Sequence, residues 1–225
     1  MNKLEKIRSI IRPGDVINSE GKCTWKRPFS CFVGKIIQFY QKNLFGSEAD
    51  FNSTHSTIYF ADDMVFSTTT PRTHWEYLEA RLNTRFKIYR YVPLQYTDKH
   101  IDIMFKTAQS MIDLPYDIGD LFDIMVSQIL GYNHVRGINW FEFSQRYTVC
   151  STAVRTIQEK LRKTLENEGD FSIPRLFNEL NPEKWDEKDR KKFTQTDVEM
   201  TTPAHYANSD YFSGEFKLIS HWQEF

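Results

Sequence analysis

Between Ser53 and Leu94 the chain packs three β-branched and aromatic runs, "STHSTIYF", "MVFSTTT" and "RFKIYRYVPL", into one short stretch. Val, Ile, Thr, Tyr and Phe at this density favour pleated, half-buried backbone, so each run predicts a strand. Only Ala61, Asp62 and Asp63 separate the first two, which predicts a tight antiparallel hairpin even without a glycine at the turn. "RPGDVINS" adds a turn and a short strand before them. Such a sheet needs cover, and the remaining patterns are helical. "PFSCFVGKIIQFYQKN" spaces Phe32, Ile36, Ile37 and Tyr40 along one face, and Asp98 to Ile112 places Ile101, Met104, Phe105, Ala108 and Met111 on one stripe. Strands first and helices later predict an α+β fold, a small antiparallel sheet packed against helices.

The 225 residues, 40% hydrophobic and 26% charged, suffice for a real core and predict a single domain over 1–225. A formal net charge of -1 supplies no global field to recruit nucleic acid. No run has the length and apolarity of a membrane span, and the start has no secretory pattern, so the expected location is cytoplasmic. Three cysteines, Cys23, Cys31 and Cys150, are sparse and odd in number, which argues against a disulfide framework and leaves a free thiol in any pairing. The charged stretch "EKWDEKDRKKFTQTDVEM" reads as solvated surface.

"QRYTVCSTAVRTIQEKL", Gln145 to Leu161, ends a β-like run at one cysteine and continues as an amphipathic helix through Val154, Ile157 and Leu161. Ser151 or Thr148 can cap that helix. Cys150 then sits at its N-terminus, where unpaired N–H groups and the helix dipole favour the thiolate and lower the thiol pKa. A nucleophilic thiol needs a base. Of the six histidines only His55 lies in a strand candidate, where a rigid sheet can hold its ring. The plainer alternatives are a packing cysteine and a polar residue on a half-exposed strand. No H-E-x-x-H, C-x-x-C, G-x-S-x-G or phosphate-binding glycine loop competes, so neither metal nor cofactor is expected.

Taken in order, "RPGDVI", "FVGKIIQFYQ", "FNSTHSTIYF", "MIDLPYDIGDLF", "YTVCSTAV" and "TTPAHYANSDYF" resemble the segments of the circularly permuted NlpC/p60 papain-like cysteine hydrolases, in which the histidine strand precedes the nucleophile. The resemblance implies a permuted papain-like fold with Cys150 as nucleophile and His55 as general base. Ser67 falls at the place of the family's third, ring-orienting residue, with Thr68 and Thr69 as the neighbours that a one-residue slip would substitute. Tyr116 matches the tyrosine whose hydroxyl helps the oxyanion hole. The sequence departs from the family at Ser67, where His, Glu, Gln or Asn is usual, at Thr152, often Glu, and at Thr57, often Gly.

The implied activity is that of a cysteine peptidase or amidase, cleaving an amide such as that of a cell-wall peptide through a thioacyl-enzyme. The alternatives are an acyl or thioester hydrolase or acyltransferase on a lipid, and a catalytically weak binding module on the same scaffold. The partners expected are thus a peptide or acyl substrate, with no nucleic acid and no integral membrane segment. A viral protein released by lysis is one setting for such chemistry. The insert "YNHVRGINWFEFSQR" brings Trp140, Phe141 and Phe143 beside Arg136 and Arg146, a mixture suited to lining a groove or to core packing.

Overall fold

The structure, a computed structural model, describes residues 2–21, 28–117, 119, 148–177, 198, 201–209 and 216–224. Cys23, the 132–146 insert and all but Val198 of the 183–200 charged stretch lie outside the described residues.

The fold is α+β. Its elements run α1 (Lys3–Arg8), β1 (Val16–Ser19), α2 (Pro28–Phe45), β2 (His55–Tyr59), β3 (Met64–Thr69), β4 (Arg72–Tyr77), α3 (Leu78–Leu82), β5 (Phe86–Tyr91), α4 (Asp98–Ser110), α5 (Cys150–Asn167), α6 (Pro203–Ala207) and β6 (Phe216–His221). The six strands form one antiparallel sheet in the order β4-β3-β2-β1-β5-β6. β1 lies inside it, Val16 opposite Ile58 on one side and Tyr89 on the other.

The expected β2–β3 hairpin forms, and its turn shows how it manages without glycine. Asp62 and Asp63 both take positive φ, 56° and 60°. A turn with two left-handed central residues matches the right-handed twist of the strands, and Asp enters that region more readily than most residues. β4 and β6 were not among the expected strands. "RTHWEY" interleaves Arg, His and Glu with Trp and Tyr, and "FKLISH" stands apart from the other strand runs.

Pleating divides the residues into two cores. On one face Val16, Ile58, Phe66 and Tyr89 meet Met104 and Ala108 of α4 and Ala153, Val154, Ile157, Leu161 and Leu165 of α5. On the other, Ile17, Tyr59, Val65 and Ile88 pack with Ile7 of α1 and Leu78 and Leu82 of α3. Each fully buried aliphatic chain contributes about 1.5–3 kcal/mol relative to exposure, so the α5 stripe is a major anchor of that helix.

Three local expectations are corrected. α2 buries Ile37, Tyr40 and Gln41 but leaves Phe32 51% exposed, so its core stripe is rotated away from the Phe32 side. Gln41 fixes this orientation, donating to the Phe51 and Ser53 carbonyls at 2.8 Å and accepting from the Ala204 N–H at 2.8 Å. The N-cap of α5 is Val149, with no side-chain capping bond. Thr148 turns its hydroxyl to the Val149 carbonyl, and Ser151 lies inside the first turn. Cys31 is disulfide-bonded, against the expectation from cysteine count, while Cys150 is free.

One stabilising pair was not anticipated. Asp15, 1% exposed, receives Arg90 Nε at 2.8 Å and Nη2 at 2.7 Å, tying the turn before β1 to β5. This bidentate geometry matches the planar guanidinium to the carboxylate and offsets part of its burial, which still holds the Asp15 carboxyl above its usual range.

Candidate active site

Cys150 is the first residue of α5 and His55 the first of β2, so both stand where an element begins. Two backbone clamps fix the approach to the cysteine. Thr148 N–H donates to the Pro115 carbonyl at 3.2 Å, and Asp117 N–H donates to the Thr148 carbonyl at 3.1 Å. These bonds bring Tyr116 beside the α5 entry, where it packs with Val149 and with Val33 and Ile37 of α2.

The cysteine sulfur reaches the β2 backbone on either side of His55. Sγ lies 3.9 Å from the Thr54 carbonyl oxygen, while the N–H groups of Ser56, Ser151 and Cys150 itself act on it in favour of the thiolate. Burial outweighs them. At 3% exposure Cys150 is held above the usual thiol range, with the Arg81 charge a further, smaller influence in the opposite direction. The expectation of a lowered thiol pKa at the helix terminus is therefore corrected: desolvation of the buried sulfur beats the terminal N–H groups.

His55 is engaged on its other side. Its Nε2 is 3.1 Å from Ser67 Oγ, so the hairpin register selects Ser67 over Thr68 and Thr69 as the ring's partner. With Ile58 opposite Phe66 and Tyr59 opposite Val65, Ser67 sits diagonally from His55 on the same face. Burial pushes the imidazole well below its ordinary value, and the charges of Arg81 and His74 push the same way. The resting pair is thus a neutral thiol and a neutral imidazole. No Cys150–His55 hydrogen bond forms. By alternation His55 shares a face with Thr57 and Tyr59, opposite the face that α5 covers, and it stands at the end of its strand.

A cleft of about 480 Å³ opens at this end. His55 and Tyr116 line it, with Val33 and Ile37 as its apolar wall, a run of hydroxyls from Thr68 to Thr70, and Arg81 of α3. Cys150 lies behind Thr54 and is not part of the lining. Arg81 was not anticipated from sequence, because "LEARLN" carries no motif and its meaning comes only from where α3 packs. Among the described residues no group of three or more His, Cys, Asp or Glu could hold a metal ion, and no helix is long and apolar enough to cross a membrane.

No family model matches the chain, and no curated protein matches it. Among solved structures, one similar chain is the metalloprotein yiiX from Escherichia coli O157:H7, described as DUF1105, at 13% identity and a TM-score of 0.44 over 68% of this chain and 67% of that one.

Proposed function

We propose that the chain is a cysteine hydrolase on a permuted papain-like scaffold, with Cys150 as nucleophile and His55 as base. The observation that carries the reading is the seat of the Cys150 sulfur against β2, between Thr54 O and the Ser56 N–H, with His55 between those two residues and already bonded through Nε2 to Ser67.

In this mechanism Nε2–H donates to Ser67 Oγ, which leaves the Nδ1 lone pair to accept the thiol proton. Because thiol and imidazole are both neutral at rest, the proton moves as the sulfur attacks the carbonyl carbon. Apo sites are often looser than their substrate complexes, so the missing thiol–imidazole bond is one that substrate binding closes. The tetrahedral oxyanion is met by backbone N–H groups at the α5 terminus and by the Tyr116 hydroxyl. The leaving amine departs with the His55 proton, giving a thioester. Water, deprotonated by His55, attacks that thioester, releasing the acid and restoring the thiol.

A peptide amide, such as one in a cell-wall peptide, is the substrate class put forward. A lipid ester and a long-chain acyl thioester are the other arms of the test. Turnover of one of the three that is abolished by Cys150→Ala and by His55→Ala supports the reading. If no substrate is turned over and an alkylating probe leaves Cys150 unmodified, the chain is a binding module instead.

A further inference from the structure

We infer that Arg81, held rigid by Glu76, is a specificity-determining residue that receives an anionic group of the substrate in the cleft beside His55. This rests on the hydrolase reading and adds the charge of its substrate.

Glu76 holds Arg81 through one hydrogen bond, Nη2 donating to Oε2 at 2.6 Å, and through the ion-pair contact of Nε at 2.5 Å from Oε1, which makes no hydrogen bond. That pairing fixes the guanidinium plane and uses one of its edges. Nη1 belongs to the edge that Glu76 does not use, and Arg81 lines the cleft with 17% of its side chain exposed. A guanidinium carries five donors in a planar fork, so one carboxylate can orient it while a second docks on the remaining donors. Rotamer entropy is already spent by the Glu76 contact, which leaves little to lose on binding.

The other charged groups around the cleft do not duplicate this role. Glu20 lies 3.8 Å from Arg85 and carries the wrong sign. His74 Nε2 stands 3.9 Å from Glu76 Oε2 and is not among the residues that line the cleft. The Asn83 and Thr84 side chains add neutral polar groups to the same wall. Arg81 is also near enough to both reacting groups for its charge to be felt at each, disfavouring imidazolium at His55 and favouring thiolate at Cys150. A substrate anion seated on Arg81 thus lies in the cleft that His55 lines.

The test compares alkylation of the intact protein by iodoacetate and iodoacetamide, which differ in charge at nearly equal size. In each, the Cys150 thiolate forms an S–C bond as the C–I bond breaks and iodide leaves. With Arg81 acting as inferred, the iodoacetate-to-iodoacetamide rate ratio at Cys150 exceeds that of N-acetylcysteine at the same pH by roughly three- to ten-fold at low salt, and falls toward it as salt screens the charge. The double variant Arg81→Gln/Glu76→Gln removes one charge of each sign and orphans neither partner. The ratio should return to the N-acetylcysteine value in that variant even where the iodoacetamide rate itself falls as the thiolate loses the Arg81 charge, and Arg81→Lys should recover only part of it. If Cys150 reacts with both reagents and the ratio is the same in wild type and double variant, the inference is overturned and the nucleophile stands. If neither reagent modifies Cys150, the hydrolase reading falls, and the Arg81 role with it.

Discussion

The ring of His205, fully buried in α6, lies edge-on to Phe45 at 4.9 Å between centroids and 5.4 Å from Phe177. Burial holds its pKa down at about 3. A backbone bond at Thr202 opposes this in part, and the Arg155 charge adds to the depression. In the unfolded chain a histidine titrates near 6.5. The folded pKa is the lower of the two, so the stabilisation is complete above the unfolded value and is lost as pH falls from about 6.5 toward 3. A depression from 6.5 to about 3 corresponds to roughly 5 kcal/mol in full, of which linkage removes about 2 by pH 5 and about 3 by pH 4. Those losses are a large share of a typical total of about 5–15 kcal/mol. Urea denaturation at pH 7, 5 and 4 on wild type and His205→Asn checks this. The variant starts less stable at pH 7 but should lose less on acidification, the two curves converging by the amounts above. His55, also depressed by burial, is present in both proteins and cancels in the difference. Parallel losses in the two would refute the assignment of acid sensitivity to His205.

Other outcomes follow from the same geometry. In the hydrolase reading the kcat/KM profile should be flat through neutrality, falling only below the lowered His55 value and above the raised Cys150 value, and a narrow optimum near pH 6 would speak against a neutral pair. Ser67→Ala should cost much less turnover than Cys150→Ala, because a neutral hydroxyl orients the ring only modestly, and Tyr116→Phe should fall between them at roughly 10²–10³-fold if its hydroxyl meets the oxyanion. Arg90→Met leaves Asp15 buried without its ion-pair partner, holding only the Arg12 N–H, and should destabilise by about 3–5 kcal/mol in urea melts, whereas Ile157→Ala should cost about 2–5 through the cavity it opens.

Sequence reading reached the elements whose chemistry is local. The Asp62-Asp63 turn, the β2, β3 and β5 runs and the Val154–Ile157–Leu161 stripe are each written in consecutive residues, and the structure forms them. The Ser67 contact was legible because a hairpin register counts outward from its turn. What stayed hidden depends on partners far along the chain. The α2 stripe could be placed on either side until Gln41 found Ala204, and a helix-terminal cysteine gives no sign of how deeply its sulfur will be buried. Arg81 needed both the fold of α3 and the carboxylate of β4 to acquire meaning.

The pairing of β5 with β6 also sets a timetable. Tyr91 waits for Phe216, and Asn18 reaches its acceptor at Pro203 only across a span of 185 residues. Contacts so distant in sequence carry the loop-closure entropy that makes folding slow, and until they close β5 presents an unpaired edge to other chains. A folding intermediate with β1 to β5 assembled and β6 still adrift would thus be the species that aggregates at high expression, and that a chaperone would have to shield.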